Sequence, residues 1–295
     1  MTAQALTAAW DDDLRFRQEL AWRIRWWFAG LPFGIGMATV KACVRLWLGF
    51  GADRSGVLSA GNGPGMRAPV LGVALRNEPA LLKAGVHSAT LITHTEPKAE
   101  YGALVLAYAA GWAAGKDFSS GWQKRFLSQI EDELPAAAHE LVDLVKRAHS
   151  SVERSEPLAD FVVSIGSRKG VSGYMYHTVP AVLHVWFRKP LEYRSAIEEM
   201  VRTGGDADTT AAILGGIIGA SVGKEGIPRE WLSSLMEWPR TVPWMEAVAQ
   251  RTAEAVEQKK ALKPVPLFWP GLIPRNLLFD LTVLVQGFRR LFPPY

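Results

Sequence analysis

The stretch best equipped for chemistry is Thr203-Gly204-Gly205-Asp206-Ala207-Asp208-Thr209-Thr210. Two carboxylates stand two residues apart and a hydroxyl follows, between a diglycine and the start of a long apolar run. Glycines let the backbone turn sharply and draw neighbouring side chains together. Two carboxylates and a threonine oxygen are hard donors, suited to Mg²⁺, Mn²⁺ or Ca²⁺ rather than zinc. The same residues also suit an ordinary helix start, with one aspartate at the N-cap and the other favoured by the helix dipole. Spacing alone leaves both readings open.

The elements around this stretch read as helices. Tyr193–Arg202 ends at the diglycine, and Thr209–Val222 follows as a helix of small residues. Ala211, Gly215, Gly219 and Gly223 share one nearly bare face where another helix can approach closely, which places this helix at the centre of the body. Asp13–Phe28, Met37–Leu48, Trp122–Ile130, Ala136–His149, Glu230–Trp238 and Met245–Lys260 also carry helical patterns. Leu81–Thr93 and Lys98–Ala114 are split at Thr95-Glu96-Pro97. Val179–Phe187 reads as a buried apolar run. Glycine-rich loops are expected over residues 49–69 and 166–173. No strand-like alternation and no internal repeat recur, so the expected architecture is a single all-α domain spanning 1–295.

Composition narrows the field. The chain has 295 residues, 48% of them apolar, enough to bury a large core. A single cysteine, Cys43, excludes an internal disulfide framework and any multi-cysteine metal site. The opening residues lack the basic segment of a secretory signal, and the expected compartment is the cytoplasm. The net charge of +4 conceals an asymmetry: residues 14–54 carry +5, residues 259–295 carry +5, and the remainder carries −6. The basic ends coincide with a Trp-rich helix at about 13–28 and an apolar helix at about 274–292. Such ends suit peripheral contact with a membrane, or they pack on the core with their arginines in water. No nucleic-acid motif accompanies them. No phosphate-binding G-x-x-x-x-G-K, zinc-binding H-E-x-x-H or nucleophilic G-x-S-x-G motif is present.

Gly204-Gly205-Asp206-Ala207-Asp208-Thr209, followed by Ala-Ala-Ile-Leu-Gly-Gly-Ile-Ile-Gly-Ala, resembles the signature of the ADP-ribosylglycohydrolase family. Other segments match in the same order. Gly61-Asn62-Gly63-Pro64-Gly65-Met66-Arg67 resembles the family's G-N-G-x-x-M-R loop. Leu91-Ile92-Thr93-His94, with Pro97 and Tyr101-Gly102-Ala103, resembles its T-H-x-x-P…G-A junction. Gly170–Pro180 resembles the loop before a V-P helix, and Gly226-Ile227-Pro228 with Trp231 follows the signature.

The resemblance implies an all-α fold, Mg²⁺ and recognition of ADP-ribose or an ADP-ribosylated substrate. It makes Asp206, Asp208 and Thr209 metal ligands, and Asp206 and Asp208 catalytic. It sets Gly61, Asn62, Gly63 and Arg67 along the diphosphate and distal ribose, with Thr93 and His94 adding phosphate contacts. The loop containing Gly173 would border the adenosine, with Tyr174 or Tyr176 available to stack on the base.

The chain departs from the family at one place. The second acidic motif, T-D-D-T, is absent. Either Gly34-Ile35-Gly36-Met37 stands in its place, or Gly30–Thr39 matches the first glycine-rich helix and the acidic segment is deleted. Between Glu19 and Glu78 the sole acid is Asp53, which becomes the candidate replacement ligand or base. With half of the acidic set gone, at most one weakly held Mg²⁺ ion is expected, with Mn²⁺ or Ca²⁺ as substitutes. Three functions follow: a divergent hydrolase, an ADP-ribose-binding protein without turnover, or a helical interaction protein acting through its basic ends.

Overall fold

The computed structural model describes residues 1–290, and its described residues form fifteen α-helices and no strand. They are α1 Thr2–Ala8, α2 Asp13–Ala29, α3 Met37–Trp47, α4 Ala68–Ala74, α5 Pro79–Leu91, α6 Pro97–Gly115, α7 Trp122–Glu133 and α8 His139–Glu153. These are followed by α9 Leu158–Ser164, α10 Met175–Arg188, α11 Tyr193–Thr203, α12 Ala207–Val222, α13 Arg229–Ser233, α14 Val242–Glu257 and α15 Leu272–Arg289. Among the described residues no helix is long and apolar enough to cross a membrane. The helix expected over about 274–292 is present to Arg289, and residues 291 and 292 lie outside the described part.

The centre is α6, not α12. Its sequence is apolar on every side, and Ala99, Gly102, Ala103, Val105–Ala110 and Ala113 are all buried, the signature of a helix surrounded by others. Helices α4, α5, α10 and α12 pack around it. Two glycines set the distances. At Gly72, a Cβ would lie 1.9 Å from the Ala107 carbonyl oxygen, so α4 rides directly on the α6 backbone. At Gly102, a Cβ would lie 2.1 Å from Met175 Cγ, which brings the start of α10 against α6.

Helix α12 buries Ile213, Leu214, Ile217 and Ile218 and keeps Ala212 and Gly216 exposed. Its small-residue face is covered by α11: a Cβ at Gly215 would lie 3.0 Å from the Tyr193 hydroxyl and 3.5 Å from Ile197 Cδ1. Leucine at Gly215 is expected to overpack this contact and cost about 1–3 kcal/mol. Denaturant unfolding measures it, and a change below about 0.5 kcal/mol would place the face at the surface.

The first helix is closed by a distant part of the chain. Gln4 Nε2 donates to the Val265 carbonyl at 2.7 Å, and the Val265 N–H donates to Gln4 Oε1 at 3.0 Å. Thr7 Oγ1 meets Thr252 Oγ1 at 3.0 Å, and the Leu262 N–H donates to the Thr7 carbonyl. Helix α1 thus rests on α14 and on the extended segment that follows it.

Candidate active site

Three loops come together at the N-terminus of α12. The Met175 N–H donates to the Ala60 carbonyl at 2.8 Å, and the Asn62 N–H donates to the Gly173 carbonyl at 2.9 Å, which pairs Gly61 with Tyr174. The Val171 N–H donates to the Gly204 carbonyl at 3.0 Å, and the Asp206 N–H donates back to the Val171 carbonyl at 2.6 Å. Residues 60–62, 171–175 and 204–206 are thereby stitched side by side. Two glycines permit this. Gly205 has φ +80°, and a Cβ on it would lie 2.2 Å from the Val171 carbonyl oxygen. Gly170 has φ +87°, with Gly204 backbone 2.3 Å from where its Cβ would be. No other residue tolerates both the left-handed conformation and the close approach.

Asp206 occupies the N-cap position of α12, yet its side chain caps nothing. Its Oδ2 instead accepts from Asn62 Nδ2 at 2.6 Å, and the same amide donates to Thr178 Oγ1 at 2.9 Å. Asn62 is buried and Asp206 half-buried. Gly173 leaves the space beside the carboxylate open: a Cβ there would lie 3.2 Å from Asp206 Oδ2. Asp208 is exposed and Thr209 half-buried, one and two residues into the helix. Of the two readings open to the sequence, capping is not what the Asp206 carboxylate does.

A second polar cluster lies behind Gly61 and Gly63. Arg67 Nη1 donates to the Ala89 carbonyl at 2.8 Å and Nη2 to Thr93 Oγ1 at 2.6 Å, and no carboxylate pairs with it among the described residues. Part of the Arg67 side chain stays accessible, but its guanidinium is enclosed, and burial pulls it down to about 10. Thr93 Oγ1 also lies 2.8 Å from His94 Nδ1. An arginine can only donate, so Thr93 Oγ1 accepts from Arg67, and it meets His94 Nδ1 as donor or second acceptor according to the ring's tautomer. The far edge of the ring faces the glycine loop: Nε2 is 3.1 Å from a Cβ position at Gly61, and Cε1 is 2.9 Å from one at Gly63.

Burial, with Arg67 next, lowers His94 from 6.5 to about 3. Between those values the unfolded chain binds a proton that the folded chain refuses, so stability falls as pH drops through that window. His184, buried against Phe161 and lowered to about 4, adds to the same slope. His94→Gln is therefore expected to flatten part of the loss between pH 6.5 and 4 in thermal melts, leaving the share due to His184. An unchanged slope would mean that His94 is not neutral in the folded protein.

The remaining candidates separate. Tyr174 is half-buried, and its hydroxyl accepts from Lys98 Nζ at 3.1 Å. Tyr176 is buried at the first turn of α10, facing the core, so of the two tyrosines only Tyr174 offers surface to a ligand. Lys98, which the sequence did not mark, sits 4.8 Å from the Tyr176 ring centroid and also binds Glu140. The one advance signal was its place beside Pro97 in the T-H-x-x-P junction. Asp53 is exposed in a turn, with Arg54 as its charged neighbour at 3.9 Å. It makes no contact with Asp206, Asp208 or the glycine loops among the described bonds.

Asp206, Asp208 and Thr209 match the donor chemistry of a hard cation, but the described residues hold no cluster of three or more acids, histidines or cysteines that could bind a metal ion. Two carboxylates and a hydroxyl are the hard oxygen donors that a divalent cation such as Mg²⁺ takes.

The family model for ADP-ribosylglycohydrolase matches residues 1–262. The chain belongs to the ADP-ribosylglycohydrolase family. It is 28% identical over 212 residues to the ADP-ribosyl-[dinitrogen reductase] glycohydrolase of Rhodospirillum rubrum, a match covering 71% of this chain and 62% of that one. It is 27% identical over 240 residues to the Homo sapiens ADP-ribosylhydrolase ARH3, covering 71% and 64%. These matches span less than two thirds of either relative's length. A solved structure described as an ADP-ribosylglycohydrolase-related protein complex superposes with a TM-score of 0.58 at 26% identity, covering 86% of this chain and 78% of that one. The glycine loop at 61–67 and the Asp206-Ala-Asp208-Thr209 signature thus face each other in a member of this family.

Proposed function

We propose that this protein is a hydrolase that binds an ADP-ribosylated substrate and cleaves the glycosidic bond between the ADP-ribose and its acceptor. The observation that carries the reading is the Asp206 carboxylate. It is drawn away from its own helix, held by the Asn62 amide from a loop 144 residues distant, and faced by the bare Gly173. A capping carboxylate would turn instead to the N–H groups of its own helix. This one is aimed across the loops that the family signature brings together.

In the proposed reaction the oxygen of a water bonds to the anomeric carbon as the bond to the acceptor breaks, and the acceptor leaves with the proton that the water gives up through Asp206. Asp206 takes the proton from that water, and Asn62 fixes the direction of its lone pairs. The Gly63 N–H, which the loop's own hydrogen bonds leave unused, would donate to the diphosphate, with the buried Arg67 charge behind the loop. Tyr174 borders the base. Asp208 and Thr209, with Asp206, would hold a single Mg²⁺ ion, which when bound supplies positive charge to the substrate oxygens.

A specific observation favours one second reading, an ADP-ribose-binding protein without turnover. No third carboxylate joins Asp206 and Asp208 among the described residues. One experiment separates the two. Free ADP-ribose is quantified after incubation with ADP-ribosylated arginine and serine peptides, with and without Mg²⁺, and melting is followed with ADP-ribose present. Release supports the hydrolase. A raised melting temperature without release supports binding alone. Neither effect at millimolar ligand would remove both readings.

A further inference from the structure

Helix α15 meets the rest of the molecule along one side, mainly over its first half. Of its eighteen residues, Leu272 and Asn276 alone are buried. At about 100° per residue, Leu277, Leu278, Leu281, Leu284, Val285 and Phe288 share one arc of roughly 120°, and all six are exposed, Leu278 by 66% and Phe288 by 62%. Arg275, Thr282 and Gln286 lie past one edge of this arc, and Arg289 stands on that edge beside Leu278. A monomer rarely displays a continuous apolar face of this kind without a use for it.

The fold extends the face. Asn276 Nδ2 donates to the Gly30 carbonyl, and Phe279 meets Phe33 edge-on at 6.4 Å. The loop from Gly30 to Phe33 is thus set against α15. On α3, Met37, Lys41, Val44 and Leu48 form a single exposed stripe. Trp26 packs edge-on against both Trp47 and Trp269, at 5.4 and 5.5 Å, which ties the far end of α3 to the root of α15. The two segments that meet here are the basic ones: residues 14–54 and 259–295 carry +5 each, while the rest of the chain carries −6.

We propose that α15, the loop before α3 and the outer stripe of α3 form a surface that docks on an anionic lipid bilayer. The chemistry matches on three counts. The apolar arc suits a helix lying in the plane of the interface. The exposed ring of Trp47, beside Trp26, offers aromatic surface suited to the headgroup level. Arg275 and Lys259 are taken up by Glu237 and Glu78, but Lys41, Arg289 and Arg290 stand exposed and complement acidic headgroups, and the stems of Lys41 and Arg289 can enter the apolar layer while their charges stay in water. A second copy of the chain would bring one basic face against another. Asp280 is the one acid within residues 259–295 and could not offset that repulsion.

The full-length protein is mixed with vesicles of phosphatidylcholine alone, or of equal parts phosphatidylcholine and phosphatidylglycerol, and floated through a density gradient at low and high salt. Flotation is expected with the anionic vesicles, weakened by salt and absent with the neutral ones. The double change Leu281→Asp and Leu284→Asp should abolish it without altering the melting temperature, because both residues are exposed. Arg289→Ala and Arg290→Ala should each weaken partition about fivefold. Equal flotation on neutral vesicles, flotation of the aspartate variant, or no flotation at all would overturn the proposal. So would a concentration-dependent dimer, lost in the aspartate variant, in a protein that ignores vesicles: the face would then belong to a second copy.

Discussion

Asp206→Asn should lower the rate of ADP-ribose release by about 10²–10⁴-fold, the usual share of a working acid or base, while ligand-induced stabilisation persists. The exchange keeps the shape of the side chain and removes its ability to accept a proton. Asp206→Ala should be as inactive and still fold, because Asn62 Nδ2 retains Thr178 Oγ1 as an acceptor at 2.9 Å. Asp208→Ala should also lose activity sharply. Asp53→Ala should leave it unchanged, since Asp53 is exposed beside Arg54. Rates come from chromatographic quantification of ADP-ribose over time. An Asp206→Asn protein that retains the wild-type rate would show that this carboxylate takes no proton in the reaction.

Gly72→Ala should be the most damaging of the conservative changes, costing about 3 kcal/mol or more. The added methyl would fall 1.9 Å from the Ala107 carbonyl oxygen, with the Ala107 carbon and Cα at 2.7 and 2.8 Å. Backbone on a central helix cannot swing aside as a long side chain can, so α4 must shift off α6 or the helix must bend. Chemical denaturation with unchanged m-value would read the loss directly. A cost under about 1 kcal/mol would mean that α4 slides freely on α6. The consequence reaches the site, because Arg67 and the glycine loop lie immediately before α4.

Much of this architecture is legible in the sequence because its signals are local. Pro97 starts α6 after the break at Thr95-Glu96, and Gly204-Gly205, both at positive φ, end α11 as expected. The Asp13 start of α2 is marked by Asp12, whose carboxylate accepts from the Arg15 N–H at 2.9 Å. What the sequence hides depends on distant partners. Helix α1 has no charge pattern of its own and is held by residues 252–265. The short helices α4 and α9 gain little from propensity and much from packing. The glycine loop and the aspartate signature are each recognisable alone, yet nothing near Asn62 in the chain indicates that its amide will grip Asp206. Arg67 likewise follows the loop motif in sequence, while its guanidinium turns to Ala89 and Thr93. Tyr174 and Tyr176 look equivalent in the chain, but the turn into α10 sends one to the surface and the other to the core.

The clasp between Gln4 and Val265 sets an order of events during synthesis. At about 5–20 residues per second, a ribosome needs on the order of 10–50 s between making the two residues. For most of that interval Leu6, Ala9 and the other buried residues of the first segment have no α14 to rest on. The earliest part of the chain to emerge is therefore among the last to find its place. A nascent chain halted before Val265 should leave its first helix open to a protease, even where α4, α6 and α12 have already closed.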